Sequence, residues 1–393
     1  MEIAVPGFRA SGIYSGIKEH NKKDLGLIFS EEVATAVGVF TTNKIPAAPV
    51  IITREKITQR ICQAIIVNSG NANACTGASG INNANDVCHS VADELGISEK
   101  LVMASSTGII GVNLPVDKIQ KAIPQLVKSL SPQGLNDFAE AILTTDTYPK
   151  IVVEKESIDG KEVTLCGIIK GSGMVMPDMA TLLAFVLTDM SIQSDLLDEL
   201  LKEAVNNSLN RITIDGDMST NDMVIMMANG YAGNAPLNKD STDFNKFKNL
   251  LHALFSRLKN LILKDAEGST KIISIRVEKA KSNEEAIKIA YQVANSNLVK
   301  TAFFGEDPNW GRIMAAMGNV EADINPEKID ILFDELSIVE NGTSTDKIGQ
   351  AKEILKKSEF QVTINLHNGT GCAEVETTDL TTEYVKINAS YPT

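Results

Sequence analysis

Thr181 is the residue whose type and setting best suit chemistry. It stands in KGSGMVMPDMATLLAFVLTD (residues 170–189), where a glycine-bearing loop gives way to an apolar run. Threonine is also a good strand former, and a hydroxyl at a strand edge ordinarily bonds a neighbouring carbonyl. A threonine hydroxyl becomes a useful nucleophile when it is the first residue of a chain, because its own α-amine serves as base. That amine titrates at about 7.7–8.0, so much of it is neutral near pH 8. Cleavage between Ala180 and Thr181 would create such an amine, with glycines and Pro177 framing the bond and small Ala180 leaving its carbonyl open.

Other chemistries are poorly supplied. The four histidines (His20, His89, His252 and His367) lie outside the polar loops, and no GxSxG appears; a Ser-His-Asp arrangement lacks its parts. There is no HExxH or paired ligand spacing for a metal, no loop ending in GK[ST], and no GxGxxG opening a helix. Adjacent Cys88 and His89 read as a structural pair on a helix.

The elements that must position Thr181 are short β-type runs alternating with amphipathic helices. QAIIVNSG (63–70), KEVTLCGIIKGSGM (161–174), RITIDGD (211–217) and KIISIRVEKA (271–280) read as strands, several ending in tight turns. Ser194 reads as an N-cap before Leu196, Leu197, Leu200, Leu201, Ala204 and Val205, an apolar face at helical spacing. DFNKFKNLLHALFSRLKNLIL and NEEAIKIAYQVANS repeat that pattern. Between the elements lie loops rich in Gly, Asn and Thr: NSGNANACTG, SSTGIIG, TTDTYPK, KGSGM, DGDMSTND, KDAEGSTK and GEDPNWGR. Such loops suit a site that grips a small polar molecule through neutral donors.

Composition sets the bounds. The 393 residues are 43% hydrophobic and 22% charged, enough for two cores. A formal net charge of -13 argues against nucleic acid as a partner. The five cysteines, widely spaced and without CxxC, read as reduced thiols, mostly buried, in a reducing cytoplasm. The N-terminus lacks the pattern of a signal peptide, and no apolar run reaches the length of a membrane span.

Taken in order, VPGFRASGIYSGIK, NSGNANACTG, SSTGIIG, TTDTYPK, KGSGM…MPDMAT, DGDMSTND, DAEGSTK, DPNWGRI and YVKINASYPT resemble the glutamate N-acetyltransferase (ornithine acetyltransferase) family of arginine biosynthesis nearly end to end. The resemblance implies an α/β fold: a two-lobed mixed α and β architecture like that of N-terminal-nucleophile aminopeptidases, with the active site between the lobes. It implies self-cleavage at Ala180–Thr181 into an α chain (1–180) and a β chain (181–393) that stay together, as an α2β2 heterotetramer in the cytoplasm. The acetyl group would leave N2-acetylornithine, rest on Thr181, and pass to glutamate in a ping-pong exchange. No cofactor or metal is expected, and acetyl-CoA stays open as a further acetyl donor.

By the same resemblance, Thr107 and Gly108 form the oxyanion hole, while Thr147, Lys170, Thr181, Glu267, Asn388 and Thr393 contact substrate. The chain departs from the family at Asp178, where Asn is usual, and at Leu182 after the nucleophile. It departs again at Ser390, Tyr391 and Pro392 before the last residue, and at Met218 and Met223, which replace threonines. The residues alone leave two alternatives: an N-terminal-nucleophile aminopeptidase or amidase, and an uncleaved small-molecule binding protein.

Overall fold

A strand that is apolar at every position needs cover on both of its faces. The computed structural model, which describes residues 3–19, 21–176 and 182–390, supplies that cover. Its first sheet contains β1 (Phe8–Ile13), β2 (Leu25–Phe40), β3 (Ile61–Asn71), β4 (Val102–Ile109), β5 (Lys150–Ile158), β6 (Lys161–Lys170), β7 (Leu183–Thr188) and β8 (Met223–Ala228). The spatial order is β4-β3-β2-β8-β7-β6-β5, with β1 beside β2. Every residue of β7 (LAFVLT) and β8 (MVIMMA) is buried. Ala184, Val186, Val224 and Met226 pack with Leu197, Leu201, Leu254 and Leu258 of helices Ser194–Asn206 and Phe244–Lys264. On the opposite face, Leu183, Phe185, Ile225 and Met227 join Phe138 of helix Leu135–Ala141. Helices Gly77–Leu95 and Val116–Lys128 cover Leu25, Leu27, Ala64 and Ile66.

The second sheet holds β9 (Ile272–Ala280), β10 (Asp330–Phe333), β11 (Leu336–Glu340), β12 (Thr343–Ser344), β13 (Glu359–Asn365) and β14 (Gly371–Thr378), in the order β12-β11-β10-β13-β9-β14. Here the strands alternate. In β9, Ile273, Ile275 and Val277 are fully buried, and Ser274 and Arg276 are not. The buried face packs with helices Asn283–Ala294, Asn297–Phe304, Trp310–Met317 and Ile348–Leu355.

The mixed α/β character and the predicted amphipathic helices are present, with three local differences. RITIDGD is not a strand: Leu209–Arg211 is a 3-10 turn and Ile212 makes a single bridge to Glu376. Thr213 N–H donates to Glu376 O at 2.9 Å and Ile214 N–H to Val175 O at 2.8 Å, so the segment ties β14 to the loop after β6 instead of extending either sheet. Ser194 is the first helical residue, and Gln193 occupies the cap position without a side-chain bond. Cys88 and His89 do not act together. Cys88 is fully buried, which pushes its thiol up to about 11, while His89 points outward to Asp93 and Glu99. All five cysteines are free; Cys62, Cys88 and Cys166 are buried, and Cys75 and Cys372 are exposed. No described helix is long and apolar enough to cross a membrane.

Candidate active site

The floor of the site is built where β3 and β4 end side by side. The strands run parallel, and Gly108 lies so close to β3 that a Cβ there would meet the Gly70 carbonyl carbon at 2.3 Å. Its φ of +131 also belongs to glycine. Thr107, just before it, is 4% exposed. Lys170, the last residue of β6, is buried and reaches across: its Nζ donates to Thr144 Oγ1 at 2.8 Å and Thr107 Oγ1 at 3.3 Å. A hydroxyl has one hydrogen to give. With Lys170 occupying a lone pair of Thr107, that hydrogen stays available for an acceptor in the cavity.

Lys170 rests on a buried charge network. Burial lowers its pKa, and the Asp146 carboxylate opposes that fall. Asp146 Oδ2 lies 3.8 Å from Lys170 Nζ, and its Oδ1 accepts from Lys150 Nζ and Gly171 N–H, each at 2.7 Å. Burial alone would push the Asp146 carboxyl up, but the ammonium groups of Lys170 and Lys150 outweigh it and hold the pKa at about 2. Lys150 also bonds Asp265, whose carboxylate takes the N–H and hydroxyl of Thr147. Two lysines thus face two carboxylates, and Lys170, the less tightly paired ammonium, faces the cavity.

The opposite rim comes from the second half of the chain. Glu267 follows helix Phe244–Lys264, and its N–H donates to Ser172 O at 2.9 Å. Asn388, on helix Thr382–Ser390, donates to Glu267 Oε2 at 2.9 Å. Gly173 lets the Glu267 carboxylate approach, since a Cβ at 173 would sit 2.4 Å from it. Thr107, Gly108, Thr144, Thr145, Lys170, Asn221, Glu267 and Asn388 line one cavity of ≈130 Å³.

Two aspartates grip the chain on either side of residues 177–181. Asp215 accepts the N–H groups of Met174 at 2.6 Å and Val175 at 2.9 Å, and the Tyr384 hydroxyl at 3.1 Å. Asp222 Oδ1 accepts the Leu182 N–H at 2.9 Å. The loop carrying Asp222 is fastened to the first sheet. Asn221 Nδ2 donates to Ala72 O at 2.6 Å and Ser106 O at 2.8 Å, and Thr41 Oγ1 donates to Ser219 O at 2.8 Å.

Thr107, Gly108, Lys170, Glu267 and Asn388, singled out from the sequence, therefore meet around one cavity. Thr147 does not line it; its N–H and hydroxyl are spent on Asp265 below. Ala180, Thr181 and Thr393 lie outside the described residues, as does Asp178. Sequence reasoning missed Asp146, Lys150, Asp215, Asn221, Asp222 and Asp265. The available signal was that each sits in or beside a polar loop directly flanking a strand or helix end. Among the described residues, no group of three or more His, Cys, Asp or Glu side chains is placed to hold a metal ion.

A profile of the ArgJ family matches residues 9–393. The "arginine biosynthesis bifunctional protein ArgJ" of Geobacter sulfurreducens is 46% identical over 99% of this chain and 100% of its own length. The protein of that name from Caldanaerobacter subterraneus is 47% identical over 100% of this chain and 98% of its own. The crystal structure of the Bacillus halodurans ArgJ protein matches with 39% identity and a TM-score of 0.50, covering 53% of this chain and 98% of that one. With a full-length family match and relatives near half identity, the chain belongs to the ArgJ family.

Proposed function

We propose that this chain cleaves itself between Ala180 and Thr181 and then moves an acetyl group from N2-acetylornithine to glutamate. It is an acetyltransferase of arginine biosynthesis. The observation that carries the reading is the cavity in which a hydroxyl (Thr107), an ammonium (Lys170) and a carboxylate (Glu267) converge. It adjoins the two aspartate grips that flank residues 177–181.

Acyl transfer builds negative charge on the carbonyl oxygen, and Thr107 Oγ and the Gly108 N–H would receive it. Both substrates carry an α-carboxylate, and Lys170, buried and incompletely paired, suits that common group. Glu267 suits the amino end of ornithine, and Asn388 orients Glu267. Thr147 acts through Asp265, while Thr181 supplies the nucleophile and Thr393 a further substrate contact. The α (1–180) and β (181–393) chains remain associated in an α2β2 assembly in the cytoplasm. The crystallised Bacillus halodurans chain, matched over 98% of itself by 53% of this one, is about half as long, as a cleavage product would be. The free state of all five cysteines suits a reducing compartment. No cofactor is needed; acetyl-CoA serves as a second acetyl donor, in keeping with the relatives' designation as bifunctional.

The test joins protein chemistry to kinetics. N-terminal sequencing of the second chain should read TLLAFVLTD. N2-Acetylornithine plus glutamate should give ornithine and N-acetylglutamate with parallel-line kinetics. Thr181→Ala should abolish both cleavage and transfer. Transfer at near wild-type rate by purified Thr181→Ala protein would refute the mechanism.

A further inference from the structure

The helix that carries Asn388 is held in place by polar ties. Helix Thr382–Ser390 has nine residues and none of them is buried. A helix that short is marginal in water without an apolar face packed on the core. Its start is fixed by Thr381, whose Oγ1 donates to Gly268 O at 2.6 Å and accepts the N–H groups of Glu383 and Tyr384, each at 3.1 Å. Tyr384 then makes two further bonds. Its carbonyl accepts Asn388 Nδ2 at 3.1 Å, and its hydroxyl donates to Asp215 Oδ2, also at 3.1 Å. The same Asp215 oxygen accepts the Met174 N–H at 2.6 Å. Met174 lines the cavity, and its φ of +56 is a left-handed value that residues with a Cβ seldom adopt. One carboxylate oxygen therefore joins two walls of the cavity: the turn at Met174 and the helix that presents Asn388 to Glu267. Burial and the Asp215 carboxylate push the Tyr384 hydroxyl above its ordinary range, so it keeps its proton and stays a donor.

We propose that Tyr384 is a positioning residue for the acetyl donor: its bond to Asp215 fixes the helix that aims Asn388 at Glu267, and so holds the Glu267 carboxylate toward the amino end of ornithine. This rests on the reading of Glu267 and Asn388 as substrate contacts. Tyr384 does not line the cavity and acts through Asn388. Without its hydroxyl the helix keeps its anchor at Thr381 but loses its tie to the wall at Met174. Asn388, one turn further along, then swings with the helix, and the Glu267 carboxylate loses its fixed partner. The consequence differs between the two substrates. Acetylornithine has an ammonium for Glu267 to meet, whereas glutamate has a second carboxylate in its place and gains nothing from that contact. Tyr384 therefore serves acetylation of the enzyme and is of little consequence for its discharge.

Tyr384→Phe keeps the ring and removes only the hydroxyl. In a ping-pong exchange, kcat/KM for acetylornithine reports acetylation of the enzyme, and kcat/KM for glutamate reports its discharge. The ratio of the two is the readout, because poor folding or incomplete processing lowers both by the same factor and leaves the ratio unmoved. Tyr384→Phe should lower kcat/KM for acetylornithine by about 10-fold and that for glutamate by no more than about 2-fold. Asn388→Ala should shift the ratio in the same direction. In the double variant the second change should add no more than about 2-fold to the shift, since residues that act through one another are not additive. An unchanged ratio in Tyr384→Phe would overturn the proposal, as would fully additive shifts in the double variant; either result leaves Glu267 and Asn388 as substrate contacts. A wild-type ratio in Asn388→Ala would instead remove the reading of Asn388 on which the proposal stands, and the proposal with it.

Discussion

The first sheet sets β7 and β8 between β2 and β6, so strands from either side of the 180–181 junction alternate across it. The second sheet takes every strand from residues 272–378, all on one side. Each has an edge-to-face aromatic contact at its core. Phe138 and Phe185 pack with ring centroids 5.3 Å apart, one ring from each side of the junction. Phe303, Phe333 and Phe360 pack against one another at 5.4–6.4 Å, all from beyond it. The difference teaches what cleavage can leave intact. Chains of 1–180 and 181–393 would not divide along the sheets, because removing the second would strip two central strands from the first and open their backbone edges. The second sheet would be a passenger of one chain.

Phe185→Ala is the most severe way to break this comparison. Truncating a buried Phe costs about 3–5 kcal/mol, and here the loss falls on the contact between the two halves. Cleaved protein should separate into its two chains at lower urea concentration, as read by size-exclusion chromatography. Phe333→Ala should lose a similar amount, yet its melt should proceed without early separation of the chains. If Phe333→Ala releases them as readily as Phe185→Ala, the two sheets are not independent in this sense.

Thr107→Ala sharpens the role of the first sheet as the site's floor. Removing the proposed oxyanion donor should lower kcat by about 10²–10³, or about 2.7–4 kcal/mol, with less change in KM. An effect confined to KM would move Thr107 from the transition state to ground-state binding.

Acid should reach the first sheet through Asp146. Its folded pKa of about 2 lies below the ordinary 3.8. The stability it contributes is therefore complete above the unfolded value and is lost as pH falls from about 5 toward 2. The amount is about 2 kcal/mol by linkage, measurable by urea melts across that range. Asp146→Asn should flatten this acid limb and lower stability at neutral pH, since Lys150 and Lys170 would keep their burial without their shared partner.

The smallest effect is expected on the open face of the second sheet. Ser274 Oγ bonds Glu374 at a solvent-exposed position, 2.9 Å away. Ser274→Ala should change stability by no more than about 0.5 kcal/mol. A larger loss in a denaturant melt would mean that this face is covered by something.

The chain by itself determined its elements and the outline of its site. Period and burial agree because they share one cause. LAFVLT is apolar at its first five positions and so lies in a sheet covered on both faces, whereas KIISIRVEKA alternates and lies in one with a single covered face. The ordered motifs also marked Thr107, Gly108, Lys170, Glu267 and Asn388, which the fold gathers at one cavity. Only the tertiary structure decided what those residues rest on. Lys150 and Asp265 are 115 positions apart, and Lys170 and Thr107 are 63 apart. In a sequence, a lysine or aspartate reads as solvated, because charge burial depends on a partner that local pattern does not specify. RITIDGD has the alternation of a strand, but its backbone partners come from β14 and from residue 175, so it became a tie between regions. Asp222 shows the same limit. Its type, loop and neighbours in DGDMSTND were all visible, but its bond to Leu182 exists only once β7 and β8 lie side by side.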